Sequence, residues 1–531
     1  MIVVAVVVVV VLVVAGAFYA LELSKTTPTA QSSLPAPVCL GDQVGDWPTY
    51  LGEITRNSQN CAASDLSSAT APQLGLLWSF NTGSMDPAPL QAEPIVTNNT
   101  VYIGGGDGIF YALNATTGAK IWESPFLGTN TDCAVGQGSD GITSSATVIG
   151  GLVYVGGGDG SFYALNESNG QVNWSYFVGS SSLGYYLWSS PLVLPSLGYV
   201  YYGVASDCGA PQVAGGLDQL SLSTHQLVHF FDNLNPAQQV NCNNTAGPPF
   251  NTTTSSCGAS IWGSPSYDAP TNTVWAATGN GYVVGTPEYA VSLMEWNAST
   301  LALVNHYTLP LNEQIPDGDF GTTPTLINPI GGQPMVFVTN KNGYSYAFDR
   351  ANIAAGPVFE DNISAVVPES TSVSPDAYGG GLIYIGGHAT NIPEPDGTHY
   401  PGSIRAFNPL VNASPIWAVG MPGEVFGAPV YSNGLVVVGG GDLLNVLNST
   451  TGKVLYSYTA SGPFFAAASI ANGVIYVGNT DGDVLAFGLP PSADHAANLP
   501  GLSGGTLTVL TAGVAPALAT AALIASTVRR S

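Results

Sequence analysis

Basic side chains are scarce in this chain. Nine Lys and Arg stand against 34 Asp and Glu in 531 residues, a net charge of −25, and only 8% of all residues are charged. A surface so poor in cations repels a phosphate backbone, so DNA and RNA are excluded as partners. Equally missing is a phosphate-binding P-loop, which removes support for a nucleotide-binding reading, and the repeats hold no Gly-x-Ser-x-Gly elbow, a spacing met only at 501–505 in the C-terminal linker, so a hydrolase reading has no support there. Six cysteines, an even number, include no CxxC pair and no CxxCH haem-attachment signature, so disulfides are their expected state. The six histidines are scattered without metal-ligand spacing. Among them His225, His229 and His306 read as outer-strand residues in packed or solvated roles.

Glycine, by contrast, is plentiful at 65 residues, and much of it sits in a repeat. Residues 153–174, VYVGGGDGSFYALNESNGQVNW, closely copy residues 101–122, VYIGGGDGIFYALNATTGAKIW. Each copy encodes three short strands and two tight turns, and weaker copies follow at intervals of roughly 40 residues. A unit of that size buries its faces only by stacking on its neighbours. Units fall near 92–123, 143–176, 188–231, 260–307, 321–359, 372–418 and 426–458. An eighth would join the strands in 464–490 to a lone strand in 74–83, closing a ring and removing its free edges. The expected fold is therefore all-β: an eight-bladed β-propeller of four-stranded antiparallel blades. In the recurrent spacing Ala-x-Asn-x-x-x-Gly-x-x-x-Trp, seen at Ala112 to Trp122 and Ala164 to Trp174, Asn holds the turn, Gly takes a positive φ and Trp packs on the adjacent blade. Asp107, Asp159 and Asp481 belong to Asp-Gly turns and carry structure rather than chemistry.

Outside the repeats, residues 1–23 are apolar enough for a signal peptide or an N-terminal anchor. A Ser/Thr/Pro linker occupies 24–38, the propeller 39–490 and a second linker 491–505. The uncharged stretch within 506–531, ending on Arg529 and Arg530, is about long enough to span a bilayer. These segments imply an exported protein, extracellular or at the cell surface and held to a membrane by its apolar ends. Ten N-x-S/T sequons, from Asn98 to Asn448, allow glycosylation, although several lie in turns that want Asn anyway. Few charges and many amides and hydroxyls suit an acidic medium.

The repeats, together with the opening DWPTY at 46–50, closely resemble the quinoprotein β-propeller family, which includes the pyrroloquinoline-quinone-dependent alcohol and polyvinyl-alcohol dehydrogenases. The resemblance implies the fold, whereas function has to come from blade-specific residues. Residues 261–280, IWGSPSYDAPTNTVWAATGN, resemble the family segment that supplies an aromatic floor for the quinone and an amide ligand for Ca²⁺. On that match Trp262 is the platform and Asn280 a metal ligand. In PDGDFGTTPTL, 316–326, the family pattern makes Asp317 the catalytic base and a metal ligand, with Asp319 beside the metal. VTNKNGYSYAFDR, 338–350, sets Lys341 against the cofactor's oxygens.

Two loops depart from that pattern. Where relatives carry adjacent cysteines, this chain has Cys133 alone in TDCAVGQGSDG, and where they place a Glu metal ligand it offers Asp207 and Cys208. On the resemblance, Cys133 and Cys208 pair across the cofactor mouth and Cys242 pairs with Cys257 across its own insertion, while Cys39 and Cys61, which bracket the opening of the folded part, are expected to pair with each other. The implied function is quinone- and Ca²⁺-dependent oxidation of an alcohol or sugar, with electrons passed to an external acceptor. The competing reading is a non-catalytic cell-surface propeller, a scaffold or adhesin that binds protein or glycan through its loops.

Overall fold

The structure, a computed structural model, describes residues 45–490 except 61, 63, 84–88, 131–139, 208–212, 235–256, 282–287, 365–372, 394–396 and 412–413. The apolar segments, both linkers and Cys39, Cys61, Cys133, Cys208 and Cys242 therefore lie outside the described residues, as do the pairings expected of them. Cys257 is disulfide-bonded. Among the described residues no helix is long and apolar enough to cross a membrane.

Eight antiparallel sheets form the body, seven of four strands and one of five. Blade 1 runs Ile95–Thr97, Thr100–Gly104, Phe110–Asn114 and Lys120–Glu123 in spatial order. Blades 2 to 7 repeat that order, with innermost strands Thr147–Ile149, Leu192–Leu194, Ser266–Asp268, Thr325–Ile327, Ala377–Gly379 and Val430–Ser432. In blade 8 the outer strand is Gly75–Asn81, paired antiparallel with Asp483–Gly488, and the innermost strand is Ser469–Ala471. Apart from Ile149, the residues of these inner strands are buried. The outer strand Lys120–Glu123 buries only Trp122.

That Trp is what joins neighbours. Trp78, Trp122 and Trp417 each donate an indole N–H, at 2.9 Å, to a carbonyl of the next blade: Ala115, Glu167 and Ser449. Their rings lie so close to Gly118, Gly170 and Gly452 that a Cβ there would come within 2.4–2.7 Å of the indole. Blade 3 solves the same position differently. His225 sits in the turn rather than on the outer strand, adopts φ 60 and stacks on Trp174 at 4.6 Å and 8°. His229 and His306 do lie on outer strands. Asp107 and Asp159 each close their Asp-Gly turn by accepting bonds from a backbone N–H and a Tyr hydroxyl.

The segment 45–60 makes a circuit of the axis along the inner strands. Trp47 exchanges backbone bonds with Val96 of blade 1, and the Pro48 carbonyl accepts from Val148 of blade 2. Carbonyls of Ile54, Thr55, Asn57 and Ser58 then accept from Tyr267, Leu326, Tyr378 and Tyr431 of blades 4 to 7. Blade 8 receives the Asn60 amide on the Ile470 carbonyl, 2.9 Å away. Arg56, fully buried, supplies the contact with blade 3 through Pro191.

Burial also sets the response to pH. Glu93, Asp218 and Glu295 are buried, and desolvation raises their pKa values to about 8, about 7 and about 7. Hydrogen bonds to Glu93 from Leu51 and Trp47, and to Asp218 from Tyr202, only moderate the rise. A carboxyl whose pKa is raised on folding stabilises the fold fully below its unfolded value, near 4. That contribution, on the order of 1 kcal/mol per pH unit and group, is lost as pH climbs through 7 and 8. The melting midpoint should therefore be highest around pH 4–5, fall between about pH 5 and 8 and level off above that in a thermal scan. A midpoint that instead fell steadily from pH 7 to pH 3 contradicts this.

Candidate functional site

The inner strands converge on the axis, and the residue four places ahead of each one projects into a cavity of about 470 Å³. In blades 1 to 5 these residues are Gln91, Thr143, Trp188, Trp262 and Gly321; in blades 6 to 8 they are Val373, Phe426 and Phe465. Two places further on lies a buried tier. It reads Glu93, Ser145, Ser190, Ser264 and Thr323 in blades 1 to 5, then Pro375, Ala428 and Ala467. The polar half of this tier is tied blade to blade, since the backbone N–H of each of the first four donates to the hydroxyl of the next at 2.8–2.9 Å. One register position thus yields a floor with hydrogen-bonding side chains on one side and apolar ones on the other.

Six residues singled out from sequence line this cavity: Asp207, Trp262, Asn280, Asp317, Asp319 and Lys341. Lys341 is the hub of four of them. Its Nζ lies 2.8 Å from Asp319 Oδ2 and 3.1 Å from Asp317 Oδ2, and 5.5 Å from the centre of the Trp262 ring. Burial pulls the Lys341 pKa down, but the Asp319 and Asp317 carboxylates outweigh it and hold the value above the ordinary one. The ammonium therefore keeps its charge at neutral pH. Asp319 is fixed from the other side by the Asn280 backbone N–H, 2.5 Å from its Oδ1, and by a Lys341 N–H to its own carbonyl at 2.9 Å. The two carboxylates differ in access: the Asp317 side chain is 51% exposed and that of Asp319 only 9%. Asp317 also adopts φ 55, in the left-handed region. Trp262 lies against Gly321, where a Cβ would come within 2.5 Å of the indole. Only a glycine lets the ring settle there.

Asp207 is the member that stands apart. Its carboxylate accepts a hydrogen bond from Asn130, and its carbonyl accepts one from the Trp188 indole at 3.3 Å. Among the described residues no three His, Cys, Asp or Glu side chains form a metal-binding group. The side chains at the Lys341 ammonium are two carboxylates, and the Asn280 amide, whose Nδ2 donates to the Gly281 carbonyl, lines the same cavity. Cys133 and Cys208 fall outside the described residues. Sequence reasoning missed Gln91, Glu93, Trp188, Val373, Phe426 and Phe465. The signal that could have found them is their constant offset from the inner strand, visible once the repeats are aligned on that strand.

A family model described as outer membrane protein assembly factor BamB matches residues 63–222 and 401–489. Quinohemoprotein alcohol dehydrogenase of Comamonas testosteroni is 24% identical over 369 residues, covering 63% of this chain and 50% of that protein. Its crystal structure superposes with a TM-score of 0.67 at 18% identity, over 88% of this chain and 83% of the other. A europium-containing methanol dehydrogenase gives a TM-score of 0.68 at 16% identity, covering 84% and 98%. BamB of Nitrosomonas eutropha is 31% identical over 167 residues, 30% of this chain and 36% of that protein. The chain spans about half the length of the curated quinohemoprotein it matches. These similarities bear out the quinoprotein-like repeat and its propeller.

Proposed function

We propose that this quinoprotein-like β-propeller is an oxidoreductase that uses pyrroloquinoline quinone in its axial cavity to oxidise an alcohol or sugar. Electrons then pass to an external acceptor, and the protein is exported and held at the cell surface. The support is one arrangement: a flat aromatic face, a buried cation and a half-exposed carboxylate on one wall of a cavity of about 470 Å³. That volume is of the size that holds a small planar ligand.

The residues fit the quinone. Trp262, seated on Gly321, would give a planar ring its aromatic face, and Lys341 would face its anionic oxygens. Bound quinone supplies the two-electron acceptor. Asp317, exposed toward the cavity, would take the hydroxyl proton of the substrate. The fit to Ca²⁺ is through Asp317, Asp319 and the Asn280 amide oxygen, all hard donors. Asp207 lines the same cavity and would add a further hard donor, its carboxylate meanwhile accepting a hydrogen bond from Asn130.

The scaffold reading draws on the BamB match. That match stops at 222 and resumes at 401, and Trp262, Asn280, Asp317, Asp319 and Lys341 all lie in between. The part of the chain least like BamB repeats is thus the part that carries the chemistry.

The test is titration of the purified protein with pyrroloquinoline quinone, with and without Ca²⁺, followed by tryptophan quenching and calorimetry. One equivalent should bind. Lys341→Ala, which removes a charge-assisted contact, should weaken binding about 10- to 100-fold. No quinone binding by the unaltered protein leaves the scaffold reading standing.

A further inference from the structure

The polar and apolar halves of the cavity bear on which alcohols it accepts. We propose that the substrate is an alcohol with an aromatic or alkyl tail rather than a sugar, and that the tail lies against the wall of blades 6 to 8. This deepens the quinone reading of the same cavity and rests on it.

The wall starts at the proposed cofactor seat. Gly321, on which the Trp262 indole rests, abuts Val373, whose Cγ1 would lie 3.1 Å from a Cβ at that glycine. From Val373 the lining continues through Pro375, Phe426 and Gly427 to Phe465, Ala466 and Ala467. None of these side chains carries a donor or an acceptor. Phe426 and Phe465 stack on each other at 4.9 Å and 24°, and both remain partly exposed. Partly exposed, paired aromatic rings at a cavity wall offer a face to a further apolar group, which would bury area there and displace water.

A sugar meets this wall badly. It carries hydroxyls around its whole ring, and those turned toward blades 6 to 8 would give up water for methyl groups and phenyl rings. The hydroxyls and amides that could have received them belong to blades 1 to 5, among them Gln91, Thr143, Ser145 and Ser190. An alcohol with a single hydroxyl and an apolar tail satisfies both halves: its hydroxyl faces the side of Asp317 and Lys341, and its tail takes the wall.

Dye-linked turnover of benzyl alcohol, 1-hexanol, ethanol and glucose by the protein loaded with quinone and Ca²⁺ tests the proposal. Expected is a kcat/KM for benzyl alcohol and 1-hexanol about 100-fold above that for glucose. Phe426→Ser and Phe465→Ser should each raise KM for 1-hexanol about tenfold with a far smaller change for ethanol, and Phe426→Leu should restore it. Glucose turned over as well as 1-hexanol, or serine variants that shift both alcohols alike, overturns the proposal. If the unaltered protein binds no quinone, the quinone reading falls by itself. The wall is then decided by saturation-transfer NMR on the quinone-free protein. Transfer to the ring protons of benzyl alcohol that disappears in Phe465→Ser upholds it. Equal transfer to glucose, or none to benzyl alcohol, overturns it.

Discussion

Asp317→Asn should lower kcat about 10³-fold while leaving quinone binding in place, the size expected when a positioned general base is removed. The reasoning turns on the unequal carboxylates around Lys341. Asp319, 9% exposed, is held by the Asn280 N–H and the Lys341 ammonium, which fixes its position and keeps it from a substrate proton. Asp317, 51% exposed, meets the ammonium at 3.1 Å and is accessible to a substrate in the cavity that it lines. Asparagine keeps the shape of the side chain and tolerates φ 55, so the loop should survive the change. Lys341 also keeps its 2.8 Å contact with Asp319, so its charge stays facing the cavity. Single-turnover reduction of bound quinone separates this from a binding defect. Asp319→Asn should show the opposite pattern, weaker quinone and cation binding with the proton-accepting group intact. An Asp317→Asn variant that reduces its quinone within tenfold of the unaltered rate would place the base elsewhere.

How much of this could be read before the structure differs from blade to blade. The blades were legible because Gly118 and Gly170, and Trp122 and Trp174, are demanded by geometry: each glycine adopts a positive φ beneath an indole, and each Trp packs on the next blade, Trp122 on the Glu167 carbonyl and Trp174 on His225. Trp262, Asn280, Asp317 and Lys341 were legible for the opposite reason. They interrupt the repeat, and on resemblance they point to one site. The rest of the cavity was hidden by the shortness of the inner strands. Three residues, nearly all buried, give no alternation of polar and apolar positions, so nothing marks the residue four places ahead as facing the axis. Phe426 and Phe465 therefore went unnoticed. His225 lies two residues ahead of the outer strand expected to hold it, because its blade puts a stacked imidazole where blades 1, 2 and 7 put glycine. The path of 45–60 left no trace at all, since it is fixed by backbone carbonyls that any residue could present.

Arg56 is the buried cation on that path, and it carries the second large expectation. Arg56→Ala should lower stability by about 3–5 kcal/mol, the range found when one partner of a buried charged network is removed. Arg56 is fully buried, and its guanidinium donates from Nε to the Pro265 carbonyl at 3.0 Å and from Nη2 to the Pro191 carbonyl at 3.1 Å. From Nη1 it reaches Thr49 Oγ1 at 2.8 Å and the Tyr50 carbonyl at 2.5 Å. It thereby ties blades 3 and 4 to the axial segment. Desolvation lowers its pKa to about 10 despite the opposing fields of Tyr50, Glu93 and Glu53, so it is still charged at neutral pH. Alanine would leave buried carbonyls without donors and take away the cation that moderates Glu93. Arg56→Lys should recover only part of the loss, because a single ammonium cannot serve carbonyls on both sides of the planar fork. The denaturation midpoints of the two variants in urea, measured at pH 7, check this. Because Tyr50 and Glu93 also line the cavity, the same alanine should weaken quinone binding without touching any group proposed to contact the quinone. An Arg56→Ala protein as stable as the original would mean that the axial segment is held by its backbone bonds alone.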